Sequence, residues 1–177
     1  MLAYLFLILA VAVRFLPHPW AFTPVAASLL FFGARGSRRQ FWIPFALLAA
    51  SDVVLTRWVY AYPFSWDHYV TWAWYIAILA LGTRLRGQPK PLRIVAAALA
   101  SSISFFLLSN FATWAAWTDL YPRSLQGVMQ SYVAGLPFFR RTVEGDLLFT
   151  AAMFATPVLL HAWSVSMNRE GDPRAAV

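Results

Sequence analysis

The sequence predicts an all-α protein, a polytopic transmembrane bundle of about six helices. Three observations predict it. Of the 177 residues, 60% are hydrophobic and only 12% are charged, whereas a soluble domain carries about 25% charge. So few charged groups cannot cover a water-facing surface, and the mean hydropathy of +0.60 agrees. The apolar residues are gathered into runs close to the 20 or so that a helix needs to cross a hydrocarbon core. Finally, aromatics make up 18% of the chain, with 9 Trp, 7 Tyr and 15 Phe, and Trp and Tyr concentrate at lipid interfaces.

The elements follow in order. Leu2–Leu16 is a slightly short first helix. Its core, Leu2–Val13, ends near Ala10-Val11-Ala12 and superficially resembles a signal peptide, but no Lys or Arg precedes it and Arg14 follows at once. It is therefore read as a retained helix. Trp20–Ala34 is a marginal second helix, tilted or partly re-entrant, because Pro19 and Pro24 stand at its start, where proline is tolerated. Phe41–Arg57, Trp66–Leu85, Pro91–Asn110 and Leu147–Ser164 meet or approach spanning length and complete the set. No repeat, low-complexity tract or linker divides the chain, so residues 1–177 read as a single transmembrane domain.

The basic residues predict an orientation. Arg35, Arg38 and Arg39 fall between helices two and three, Arg84, Arg86, Lys90 and Arg93 between helices four and five, and Arg169 and Arg174 in the tail. These nine of the 14 Lys and Arg residues share one side, which the positive-inside rule makes cytoplasmic, with the C-terminus on it. Loops on that side are short and contain Gly33, Gly36, Gly82 and Gly87, so they read as plain connectors. Opposite them lie Arg14–Thr23, Arg57–Asp67 and a long segment from Asn110 to Glu144. A connection of that length is usually functional or disordered, and its Trp and Tyr content argues for order. Trp114–Tyr132 is expected to contain a short helix lying along the membrane surface, with Pro122 at its start.

Several functions are excluded or left without support. Without Cys, disulfides, thiolate catalysis and Cys-bound metals are impossible. The three His residues are far apart and form no metal-ligand spacing. No nucleophile-elbow, zinc-protease, phosphate-loop or dinucleotide motif occurs. The sequence therefore predicts a protein that is not an enzyme and has no cofactor. The net charge of +7 is spread through short gaps rather than gathered on one face, so no nucleic-acid partner is expected. The expected partners are the bilayer, an unidentified small molecule and, in the alternative reading, a larger membrane complex.

Ionisable groups at membrane depth are costly and mark functional candidates. Asp52, in Ala49-Ala50-Ser51-Asp52-Val53-Val54, is the clearest. It is expected to face the bundle and to pair with Arg14 or Arg140, either as scaffold or as part of a site. Arg14, His18, Asp52, Asn110, Arg140 and Arg141 converge on the outer end and form the candidate ligand-binding set. Glu144 and Asp146 are read mainly as acids complementing the N-terminal dipole of helix six. Ala96, Ala100 and Ser104, with Ala97 and Ser101 beside them, form a small-residue ridge for close helix packing.

Four blocks carry a resemblance. They are Arg14-Phe15-Leu16-Pro17-His18-Pro19 with Phe22-Thr23-Pro24-Val25-Ala26-Ala27, then Ser51-Asp52-Val53-Val54-Leu55, then Ser109-Asn110-Phe111-Ala112-Thr113-Trp114. The last is Gly135-Leu136-Pro137-Phe138-Phe139-Arg140-Arg141-Thr142 with Gly145-Asp146-Leu147-Leu148-Phe149-Thr150. Together they resemble an uncharacterised family of small bacterial inner-membrane proteins, which implies that location but no activity. The architecture also resembles the S components of energy-coupling factor transporters. That resemblance implies six helices and a binding pocket at their outer, periplasmic ends, hence a transporter's substrate-binding component. The chain departs from it in one respect: Ala3, Ala10 and Ala12 lack the Ala-x-x-x-Ala spacing used on the first helix for docking to the coupling subunit. The alternative from a different class is an accessory subunit packed against a larger complex through the aromatic outer loop.

Overall fold

A computed structural model describes residues 1–17 and 21–170. The fold is all-helical, with six α-helices and no strand among the described residues: α1 (Leu2–Val13), α2 (Val25–Arg35), α3 (Trp42–Val54), α4 (Asp67–Gly82), α5 (Pro91–Ala116) and α6 (Leu125–Glu170). Single 3-10 turns at Arg38–Gln40 and Thr83–Leu85 flank α3 and α4. Three helical stretches, Arg38–Val59, Pro91–Ala116 and Leu125–Asn168, are long and apolar enough to cross a membrane.

The second helix, marginal by sequence, is the centre of the bundle. Every residue of Val25–Ala34 is buried, because α1, α4, α5 and α6 all pack around it. A helix of 11 residues spans only about 16 Å, but one enclosed by protein need not match the thickness of a bilayer. Composition explains how so many neighbours fit. Ala26, Ala27, Ser28 and Gly33 keep the helix narrow, while Phe31 and Phe32 fill the space left over. Phe31 makes edge contacts with Phe6 at 5.0 Å and Phe154 at 5.2 Å. Beside Phe6, α1 presents Ala3, Leu7 and Ala10, all buried, at three- and four-residue spacing.

Gly33 and Gly82 are not connectors. They form the crossing of α2 and α4: a Cβ on Gly33 would strike the Leu79 carbonyl and lie 2.8 Å from the Gly82 Cα, and one on Gly82 would lie 2.5 Å from the Leu30 carbonyl. Arg86 closes the same end. Its guanidinium donates to the carbonyls of Gly33 at 3.1 Å and Gly36 at 2.8 Å, satisfying and neutralising the C-terminus of α2. One of the basic residues counted for orientation therefore also caps the central helix.

The largest departure from the sequence reading is the segment after Asn110. It contains no separate helix along a surface. Instead α5 runs on to Ala116, the connection is confined to residues 117–124, and α6 begins at Leu125. α6 returns antiparallel along α5: Ser131 Oγ donates to the Asn110 carbonyl at 2.8 Å, Tyr132 OH to the Leu107 carbonyl at 2.9 Å, and Ser102 Oγ to Asp146 at 2.6 Å. The tight connection is held by Arg123, which donates to the carbonyls of Trp114 at 2.9 Å and Ala115 at 2.6 Å, closing the C-terminus of α5. Trp114 in turn donates to the Pro122 carbonyl at 3.0 Å.

Because α6 starts so early, Glu144 and Asp146 lie in mid-helix and cap nothing. Gly135, Pro137, Arg140, Arg141 and Gly145 resemble loop residues but sit within the helix. Ser131, Gly135, Gly145, Asp146, Thr150 and Met153 form its buried stripe, and Pro137 and Pro157 are accommodated without ending it. On α5 the fully buried small residues are Ala98, Ser101 and Ser102, with Ala97 beside them, whereas Ala96 and Ala100 face outward. The small-residue ridge is internal, and it runs one position away from the Ala96–Ala100 row.

Candidate functional site

Polar groups gather at the end of the bundle where α1 finishes. Arg14 follows the last turn of α1 and reaches across to α3. It forms an ion pair with Asp52 and donates to Ser51 Oγ, with a longer contact to the Leu48 carbonyl at 3.4 Å. Asp52 also accepts from two α4 side chains, Trp72 Nε1 at 2.9 Å and Tyr75 OH at 3.1 and 3.2 Å to its two oxygens. One carboxylate thus ties three elements together. Ser51, next to it in the chain, is fixed by donating to the Leu48 carbonyl at 2.7 Å. Buried charge is tolerable when paired and fully hydrogen-bonded, and Asp52 meets both conditions.

The chain beyond α3 widens into a π turn at Leu55–Val59, with Tyr60 N donating to the Leu55 carbonyl at 2.8 Å. Such turns place side chains that a regular helix could not, and here Leu55 and Tyr60 both reach the same hollow. This is a cavity of about 230 Å³ whose wall includes Arg14, Tyr60, Trp74, Tyr75, Phe105 and Asp146. A second cavity, of about 160 Å³, lies between α5 and α6 against Asn110 and Gly135 and shares Ala21, Phe105 and Thr142 with the first. Ala21, at their common edge, has a φ of 63°, a left-handed conformation that a non-glycine residue adopts rarely and at some cost. Two pairings hold the aromatic wall in place: Trp74 donates to Ser104 at 3.0 Å, and its ring lies 4.8 Å from that of Phe105.

Asp146 is the residue that sequence reasoning left out of the candidate set. It is 3% exposed, lines the larger cavity and has one side-chain partner, the Ser102 hydroxyl at 2.6 Å. Among the described residues no cation pairs with it. One turn further along α6, the buried Thr150 hydroxyl has no partner among the described residues. The signal that could have found Asp146 is the spacing of Asp146 and Thr150 on the buried stripe of a continuous helix, matched by Ser102 on α5.

The six residues expected to converge do so only in part. Arg14 and Asp52 meet, in one of the two pairings foreseen. Asn110 is in mid-helix, not at a helix end: its side chain donates to the Phe106 carbonyl at 2.8 Å and abuts Gly135, beside the smaller cavity. Arg140 points outward, 83% exposed, and pairs with Glu144 one turn along at 2.8 Å, so it does not reach Asp52. Arg141 is also exposed. These two were expected in a loop approaching helix six, but the continuous helix turns them away from the cavity and Asp146 toward it. His18 lies outside the described residues. His68, in the first turn of α4, is bound to Thr56 Oγ1 at 3.0 Å and stacked on Phe64 at 4.3 Å. No group of three metal-ligating side chains occurs among the described residues.

These features define a helical membrane protein with a polar, aromatic-walled cavity at one end of its bundle. The chain belongs to a family described as a family of unknown function (DUF6580), whose model matches residues 1–167. No curated protein and no solved structure matches it.

Proposed function

We propose that this protein binds a small molecule in the cavity beside Arg14 and Asp146, and that it acts by binding rather than by catalysis. The observation that carries the reading is the composition of the cavity wall. Arg14 just beyond α1 meets residues from α2, α4, α5, α6 and the π turn there, and the wall combines apolar faces with a few fixed polar groups, the usual make-up of a ligand site. A cavity of about 230 Å³ is smaller than the roughly 300–1,000 Å³ of drug-sized sites, so the ligand is small.

In the proposed setting all six helices lie in the bilayer of a bacterial inner membrane. The Arg35, Arg86 and Lys90 end and the C-terminus face the cytoplasm, in keeping with the positive-inside rule, and the cavity opens to the periplasm. We read this proposed arrangement as S-component-like, a reading under which the protein is the substrate-binding part of a transporter. Coupling through α1 does not, because Ala3 and Ala10 are spent on packing inside the bundle.

Native mass spectrometry from mild detergent tests the reading. The wild type is expected to carry a small-molecule adduct on its 20.0 kDa mass, and Thr142→Phe, which fills the cavity, is expected to lose it. A bare wild-type mass, or a stoichiometric protein partner in place of the adduct, would count for the accessory-subunit role instead.

A further inference from the structure

The unused carboxylate of Asp146 says what kind of molecule the cavity takes. Two acids stand near it. Asp52 is matched by Arg14 and receives three kinds of donor, so that pair is electrically closed. Asp146 has only the Ser102 hydroxyl on one oxygen and lies on the cavity wall; among the described residues no cation is ion-paired with it, Arg14 on the same wall being taken by Asp52. An ionised carboxylate buried at this depth is costly without a counter-charge. Of the groups around the hollow, Trp74, Tyr75, Phe105 and Tyr60 are aromatic, and aromatic faces attract cations electrostatically. A metal ion would need several hard ligands, and the described residues supply no cluster of them.

We infer that the cavity binds a small organic cation, a protonated amine or quaternary ammonium, with Asp146 as its counter-ion and the aromatic wall around it. The inference rests on the small-molecule reading above and adds the charge of the ligand. Ser102 holds one carboxylate oxygen and leaves the other for the ammonium group. Trp74, anchored through its indole N–H to Ser104, supplies a fixed ring face. Thr142 lies one turn before Asp146 on the same helix and also lines the cavity.

Isothermal titration of the full-length protein in detergent tests this with three probes of similar size: butylammonium, n-butanol and butyrate. Butylammonium is expected to bind at least about tenfold more tightly than the other two, and Asp146→Asn, which keeps an acceptor for Ser102, is expected to lose about tenfold or more of that affinity while melting cooperatively. Should that variant not fold, Thr142→Lys carries the test. An ammonium placed four residues before Asp146 satisfies the acid from within, so the variant is expected to fold and to bind no butylammonium. The inference is overturned if butylammonium binds no more tightly than the neutral and anionic probes, or if its binding survives in a folded Asp146→Asn or Thr142→Lys protein. Tighter binding of butanol or butyrate would leave the small-molecule reading standing with a different ligand charge. No heat from any probe, together with a bare native mass, would remove both.

Discussion

Asp52 and Asp146 are both buried acids on one end of the bundle, but their surroundings assign them different work. Asp52 holds Arg14, Trp72 and Tyr75 and thereby ties α1, α3 and α4 together. Replacing it with Asn strands the Arg14 guanidinium in a buried setting, where breaking one side of a buried pair costs about 3–5 kcal/mol. Asp52→Asn is therefore expected to lower the melting temperature strongly, and Asp146→Asn to lower it little, since Ser102 keeps an acceptor and no cation is orphaned. Thermal unfolding of the two variants in one detergent checks the contrast; equal losses would contradict it. Asp52 was legible in the sequence because it is the charge set deepest inside an apolar run, the others standing at run ends. Asp146 was not, because Pro137, Arg140, Arg141, Glu144 and Gly145 precede it and imitate a loop. Polar density alone does not separate a loop from a helix whose outer face is wet. The stripe at Ser131, Gly135, Asp146 and Thr150 does.

The helices themselves could be counted from composition, since long apolar runs at membrane length have few other solutions. Their ends and partners could not. α5 and α6 form one long antiparallel hairpin because Arg123 closes the C-terminus of α5 and because small residues let the two helices approach. A pair of cysteines at Leu107 and Tyr132 is therefore expected to be joined by a short bis-maleimide in the folded protein, which has no native thiol to compete. A surface-lying helix in place of the hairpin would leave the pair unlinked. Close packing also sets the tolerance of each small residue. Gly33→Ala forces a methyl group onto the backbone of α4 and is expected to cost about 1–3 kcal/mol, as overpacking does. Ala98→Leu, at a fully buried position, is expected to destabilise as well, whereas Ala100→Leu on the outer face is expected to be neutral. Denaturation midpoints of the three variants rank them. The sequence ridge marked close packing on α5 but not which row used it, because that depends on how α6 is rotated against it.

At the scale of the whole molecule, the fold is a short central helix wrapped by longer ones, with a basic end where Arg86 caps α2 and a polar, aromatic-walled cavity beside Arg14 at the opposite end. The burial of α2 was hidden from sequence because its length and prolines argue for a partial crossing, whereas its surroundings make length irrelevant. The proposed orientation predicts that single cysteines at Ser37 and Gln88 are not labelled by an impermeant reagent applied from the periplasm, and that one at Asp119, on the exposed connection between α5 and α6, is labelled. The central claim is that the hollow end is a binding site for a small molecule. An experimental density map of the protein purified in mild detergent tests it most directly. The account predicts compact density between the Asp146 carboxylate and the Trp74 ring that belongs to no side chain. A cavity closed by repacked side chains, with Asp146 paired to a residue of the chain, would contradict it.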